Sequence, residues 1–287
     1  MFEKCQKDKI VYYRSTLLWQ NGFENAFFTR YGGVSSSCFD SLNMSFTRKD
    51  QNGLCDSVEN VRENYRLSLS AIQSTPEQSV AAKQVHENIV KVASELDAGL
   101  EILRESEKGF DGVLVRADNS AVNTACVKTA DCTPILLGNK KTGDVCAVHA
   151  GWRGTATDIA AKAALELSSG NMKDIVCAIG PCIGVCCYEV GNEVYNAVKE
   201  LFDIKGIQNM TDSMFANSSL SQKKHANLAL INKTLLENIG VPSENIDVAG
   251  ICTCCTSENG KSEFFSHRGG RGHSGTFLSA VKSRKDL

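Results

Sequence analysis

Thiol, imidazole and guanidinium side chains gather in one stretch of the chain, residues 125–155, ACVKTADCTPILLGNKKTGDVCAVHAGWRGT. Cys132 stands just before the apolar run Ile135–Leu137, and His149 follows the run Val145–Val148. The polar turn Asn139–Asp144 joins the two runs, a pattern that predicts a β-hairpin. The hairpin would carry Cys132 and His149 to the same end of its ladder, where a thiolate and an imidazole can share a metal ion or form a nucleophile–base pair. The next residues, Gly151-Trp-Arg-Gly-Thr155, read as a tight turn opening a helix. They would set Arg153 and backbone N–H groups beside the pocket as a place for an anion. A third donor is at hand in His86, at the end of the segment Val80-Ala-Ala-Lys-Gln-Val-His86.

His86, Cys132 and His149 have the composition of a catalytic zinc site, with three protein ligands and a fourth position left for water or substrate. Their separations of 46 and 17 residues match no compact finger pattern. The same residues suit a metal-free hydrolase in which His149 deprotonates Cys132 while Asp131 or another acid orients the base. Residue types alone leave both chemistries open. A multicopper oxidase is excluded by counting, because its copper centres need far more imidazoles than the five histidines present. Two further groups, Cys182, Cys186 and Cys187 with Cys252, Cys254 and Cys255, could build a sulfur-rich metal site. Neither shows C-x2-C spacing with a matching second half, and the small buried hydrophobe is the better account of most of them.

These side chains must be positioned by an alternation of strands and helices. Strands are predicted at Ile10–Tyr13, Phe27–Thr29, Val80–His86, Gly112–Arg116, Ala121–Val127, Ile175–Ile179 and Val248–Cys252. Helices are predicted over 57–72, behind an Asp56-Ser-Val-Glu59 capping box, and over 157–168. Val190, Val194, Val198 and Leu201 mark another, and Leu228, Ile231, Leu235 and Ile239 a last one stopping at Gly240. Residues 93–109 read as a charged connection and 205–224 as a polar loop, with the Phe264-Phe265-Ser266 run, a loop over 267–273 and a short apolar segment at the end. With no repeat and no linker, residues 1–287 read as a single domain.

Composition frames the chemistry. A hydrophobic fraction of 42% and a charged fraction of 22% are ordinary for a globular protein. A net charge of −2 gives no reason to expect nucleic acid or an anionic membrane as partner. No run of about 18 apolar residues occurs. The opening MFEKCQKDKIVYYR lacks the apolar segment of a signal peptide. Thirteen cysteines without an export signal lead us to expect a cytoplasmic enzyme with reduced thiols. The sequence carries no expectation of an oligomeric state.

In order along the chain stand Phe28-Thr-Arg-Tyr-Gly-Gly-Val-Ser35, Ser41-Leu-Asn43, Lys83-Gln-Val-His86, Thr129-Ala-Asp-Cys-Thr-Pro134, Ala147-Val-His-Ala-Gly-Trp-Arg-Gly154, Ile179-Gly-Pro-Cys-Ile-Gly184, Tyr188-Glu-Val-Gly191, Cys252-Thr253 and Phe264-Phe-Ser266. Through these motifs the sequence resembles the laccase-domain or "polyphenol oxidase" family, regarded as purine nucleoside phosphorylases. The resemblance implies an α/β domain of mixed sheets covered by helices, an αββα-type sandwich. It implies that His86, Cys132 and His149 are zinc ligands and catalytic. It further implies phosphorolysis of adenosine, inosine or 5′-methylthioadenosine, with adenosine deamination as a companion reaction; purine nucleosides and phosphate are then the partners. Within the motifs Arg30, Asn43, Gln84 and Asp131 are candidates for binding substrate or phosphate, alongside Arg153 and Arg268. The chain departs from the family in the run His267-Arg268-Gly269, in closing that loop with Gly275-Thr276, and in Asn227-Leu228.

Overall fold

In the segment Thr133–Asn139, Ile135 and Leu137 point to one side and Leu136 to the other, and all three are fully buried. A strand apolar on both faces must be covered on both faces, which calls for a layered fold rather than a sheet open to water. The computed structural model describes residues 1–94, 98–99, 109–208, 210–211, 213–218 and 223–284.

In chain order the first half contains β1 (Phe2–Lys7), β2 (Ile10–Ser15), α1 (Thr16–Gln20), β3 (Asn25–Phe28), α2 (Val58–Ala71), β4 (Ser79–Ala81), β5 (Val90–Val92), β6 (Gly112–Val115) and β7 (Thr124–Thr129). The hairpin β8 (Thr133–Asn139) and β9 (Val145–Ala150) follows, then α3 (Trp152–Ala156), α4 (Ile159–Leu167) and β10 (Ile175–Ile179). The rest comprises β11 (Glu189–Val190), α5 (Asn192–Lys205), β12 (Phe215–Asn217), β13 (Lys224–Ala226), α6 (Leu228–Asn238), β14 (Ile246–Val248), β15 (Ser257–Glu258), β16 (Lys261–Ser262) and β17 (Phe277–Lys282).

Two six-stranded mixed sheets form the centre, ordered β1-β2-β3-β17-β7-β4 and β14-β10-β8-β9-β6-β5. Their inner faces meet in one core that joins Phe27, Val127 and Val281 of the first sheet to Val113, Leu136 and Ala147 of the second. Tyr65 and Leu69 of α2 cover the outer face of the first sheet through Tyr12, Phe28 and Leu278. On the second sheet, Ala160, Ala163 and Leu167 of α4, with Leu236 of α6, cover Ile135, Leu137 and Val148. The molecule is an αββα sandwich of mixed sheets. Beside α3, helix α5 and the small sheet β11-β13-β12 form a separate apolar cluster around Val198, Phe202 and Phe215.

Several boundaries differ from expectation. The predicted strand Val80–His86 ends at Ala81, because beyond it the amides of Val85, His86 and Glu87 turn inward onto one carboxylate. Asp56 is not the cap of α2. Ser57 is, its hydroxyl accepting from the Asn60 amide, while Asp56 accepts from Ser35 and Asn43. The late strand lies at Ile246–Val248 rather than Val248–Cys252, and Val190 belongs to β11 instead of α5. Part of the polar loop 205–224 pairs as β12 and β13, where Phe215 and Ala226 supply the apolar side. Several short elements escaped prediction, among them the edge strand β1, the helix α1, strand β5 and the β15–β16 hairpin. Most of the connection read over 93–109 lies outside the described residues.

Candidate metal centre and cleft

The hairpin forms as its apolar runs require, with β8 and β9 antiparallel and Pro134 opposite His149. Cys132 lies two residues before that pair, so its sulfur and the His149 ring share the end of the ladder. The third group comes from the loop after β4. His86 occupies the left-handed region, at φ 63°, which aims an exposed ring back at the hairpin. The ligating atoms of His86, Cys132 and His149 all lie within 4.8 Å of one another. The two imidazoles meet edge to face with centroids 4.9 Å apart. Gly151 leaves the room they need: a Cβ there would stand 3.3 Å from the Cys132 sulfur and 3.6 Å from His86 Cδ2.

A residue missed in the sequence holds the trio in place. Asp111, fully buried immediately before β6, takes His149 Nδ1 on one carboxylate oxygen at 2.8 Å. The same oxygen accepts the His86 amide at 2.9 Å, and the other accepts the amides of Val85 and Glu87. Burial opposes ionisation of Asp111, but the His149 ring and the Glu87 amide outweigh it and hold the carboxyl below its ordinary value. With its Nδ1–H donated to Asp111, a neutral His149 would turn its Nε2 lone pair to the cleft, the arrangement that fixes a metal-ligating imidazole. Asp111 sits in Phe110-Asp-Gly112, which reads as a turn; its only sequence signal was its place at a strand start.

The donor set fits a borderline-soft divalent ion such as zinc, with two nitrogens, one sulfur and an open side. The electrostatics suit a thiolate. Burial pushes the Cys132 thiol up, but His149 and His86 beside it bring it down to about 6. Burial alone would favour a neutral His149, yet Cys132 and Asp111 raise it to about 9.

His86 and Cys132 of the trio line a cleft of about 320 Å³ whose walls include Arg48, Asp131, Tyr188, His267 and Arg268. A neighbouring hollow of about 350 Å³ shares Arg48, His86 and Cys132 and adds Lys128, whose ammonium burial pushes down to about 7. Arg48 and Lys128 were not foreseen, although a lysine directly after the apolar run Ala125–Val127, on the same strand, is a signal of a half-buried charge. The other candidates separate. Arg268 lines the cleft, and its guanidinium bonds the carbonyl oxygens of Cys187 and Glu189 at 3.4 and 3.0 Å. Asp131, at φ 88°, accepts from Thr253 Oγ1 and the Arg268 amide, both at 2.7 Å. Arg153 lies on a different depression beyond His86 and stacks on Trp152, so the structure does not bring it together with Arg268 in one cleft. Gln84 brackets the backbone of Lys128 through both ends of its amide. Arg30 stacks on Phe265 and bonds the Asp40 carbonyl. Asn43 is buried among Ser45, Asp56 and Thr276.

Residues 24–284 match the family model described as multi-copper polyphenol oxidoreductase laccase. The chain is 32% identical over 285 residues to a purine nucleoside phosphorylase of Bacteroides thetaiotaomicron, spanning 97% of this chain and 98% of that one. It is 33% identical over 193 residues to a protein named adenosine deaminase RL5, from an unknown prokaryotic organism, across 66% of this chain and 69% of the relative. Its fold matches the crystal structure of YlmD from Geobacillus stearothermophilus with a TM-score of 0.84 at 27% identity, covering 99% of this chain and 100% of the other. Of the five histidines, His86 and His149 alone join the trio, far short of what multicopper centres require. Motifs, fold and the extent of the match agree, and the protein belongs to the laccase-like polyphenol oxidase family, whose relatives are named purine nucleoside phosphorylases.

Proposed function

We propose that the protein is a zinc-dependent purine nucleoside phosphorylase acting on adenosine, inosine and 5′-methylthioadenosine, with adenosine deamination alongside. The observation that carries this reading is the Asp111-pinned His86–Cys132–His149 trio, whose His86 and Cys132 line a cleft that also holds Arg48 and Arg268. Phosphorolysis joins a phosphate oxygen to C1′ of the ribose as the bond from C1′ to the purine nitrogen breaks. The hydrogen phosphate proton leaves with the purine. That step needs a dianion held firmly beside an apolar slot for the base. Arg48 and Arg268 supply charge and N–H donors for the dianion. Tyr188, Ile183 and Leu228 supply the slot. Asp131 positions Arg268 through its backbone amide, and Gln84 positions the strand segment carrying Lys128. Arg153, on the far side of His86, is the second candidate for the anion. Arg30 and Asn43 we assign to holding the wall loops. Zinc, when bound by the trio, would supply Lewis acidity and a more easily deprotonated water. Thirteen free thiols support placement in the reducing cytoplasm. Among the described residues no helix is long and apolar enough to cross a membrane.

The test is adenine release from adenosine with and without phosphate, before and after chelation. Phosphate-dependent release of adenine and ribose 1-phosphate that is lost on chelation is expected. A second reading has its own support: Asp111, His149 and Cys132 line up as acid, base and depressed thiol, the order of a cysteine hydrolase. Release that ignores both phosphate and chelator would establish that reading and sink the first.

A further inference from the structure

The strands β10 and β14 are parallel neighbours, with Ile179 beside Val248, so the loops that follow them leave the same edge of the second sheet. Those loops carry Cys186 and Cys187 on one side and Cys252 and Cys255 on the other. They are knitted together by Cys182 and Ile251, whose amide and carbonyl meet at 3.2 Å, and by the Thr253 amide on the Cys182 carbonyl at 3.0 Å. We propose that Cys186, Cys187, Cys252 and Cys255 form a second, structural metal site, a closed tetrathiolate cage for one zinc ion.

The four sulfurs lie within 4.8 Å of one another, and those of Cys186 and Cys255 are 3.6 Å apart. A zinc–sulfur bond of about 2.3 Å puts tetrahedral sulfurs about 3.8 Å apart, so the cage needs only small adjustments to close. Thiolate ligands keep negative charge that N–H groups must stabilise, and those groups are in place. The Gly184 amide donates to the Cys252 sulfur at 3.2 Å, and the amides of Cys254 and Cys255 turn toward it as well. Gly184 itself is required to be small, since a Cβ there would meet the Cys252 Cβ at 3.2 Å and the Cys186 sulfur at 3.3 Å. Cys252 and Cys255 have C-x2-C spacing after all; the matching half is the adjacent pair Cys186–Cys187, which supplies its ligands from a tight turn.

Packing does not explain all four of these cysteines. Cys126, Cys146 and Cys177 are buried within the apolar clusters, as small hydrophobes are. Cys186 and Cys255 are exposed. Four sulfur donors with no open side favour a structural ion over a catalytic one, and thiolates select zinc among common divalent metals. The cage also reaches the cleft: the Cys187 carbonyl accepts from the Arg268 guanidinium, so the metal would fix the wall on which Arg268 rests.

Cys132→Ala isolates the cage, since it removes the central ligand of the other site and touches none of the four cysteines. Purified from zinc-replete cells, this variant should hold about one zinc per chain, and X-ray absorption at the zinc edge should show sulfur ligands without imidazole. A folded Cys132→Ala protein that stays zinc-free, or whose zinc has nitrogen ligands, overturns the cage and leaves the phosphorylase reading untouched. Cys186→Ser with Cys255→Ser should lower the metal content of the full chain by about one ion; should that protein fail to fold, alkylation of the unmutated protein decides. Protection of the four thiols until a chelator is added supports the cage. Immediate modification of Cys186 and Cys255 in zinc-loaded protein, or a disulfide between them, defeats it.

Discussion

A single carboxylate collects one imidazole and three amides at the base of the cleft, so Asp111 is where a small change should have the largest effect. Asp111→Asn keeps the shape but loses the charge and offers His149 an NH2 group where it needs an acceptor. Metal affinity should fall about 10–100-fold, read by competition with a chelating dye, because ring orientation and basicity are both set by that contact. Unchanged affinity would show that the trio is held by packing alone. Gly151→Ala tests the crowding from the other side. Its methyl group, 3.3 Å from the Cys132 sulfur, should weaken metal binding while the thermal midpoint moves little. Lys128 gives a pH signature. Its folded pKa of about 7 lies below the ordinary 10.5, so the folded state carries a penalty that is fully present below pH 7 and fades as pH rises toward 10.5. Lys128→Met removes that penalty. The variant should be more stable than the natural chain near pH 6.5, with the difference shrinking toward pH 10 in urea unfolding.

At the level of elements, α2 separates two neighbouring residues by role. Ser57→Ala should cost about 1 kcal/mol in urea unfolding, because its hydroxyl caps the helix. Asp56→Ala should instead loosen the loop from Ser35 to Asn43, seen as faster amide exchange there, while the helix stays intact. The sandwich was legible only through the family resemblance, whereas β8, β9 and β10, buried on both faces, read as unbroken apolar runs on their own. The hairpin was legible from those runs, and with it the pairing of Cys132 with His149. What sequence could not supply was direction. Ala82 to His86 contain no glycine, proline or other turn signal, yet the chain leaves the sheet because a carboxylate 25 residues away draws in its amides. Arg153 and Arg268 both have glycine neighbours in the sequence, and nothing in their spacing places a histidine between their two hollows. Edge strand β1 alternates too weakly to announce itself, being half exposed along its length.

Across the whole molecule, the two sheets are not assembled in the order of the chain. β17 (Phe277–Lys282) lies between β3 and β7, pairing antiparallel with both. It supplies Val281 to the core between the sheets and Leu278 to the layer under α2. Removing residues from 277 onward should therefore give an insoluble or unfolded product, checked by circular dichroism and size-exclusion chromatography; a soluble, compact fragment would mean that β3 and β7 can close on each other. For a chain leaving the ribosome this has a cost in time. Two strands more than 90 residues apart, each with an unsatisfied edge, must wait for a partner translated well over 100 residues after the second of them, and until then the nascent protein presents ready templates for its neighbours. At an elongation rate of about 5–20 residues per second, that wait lasts on the order of ten seconds, a window in which chaperone binding should matter more to this protein than to one whose sheet closes as it is made.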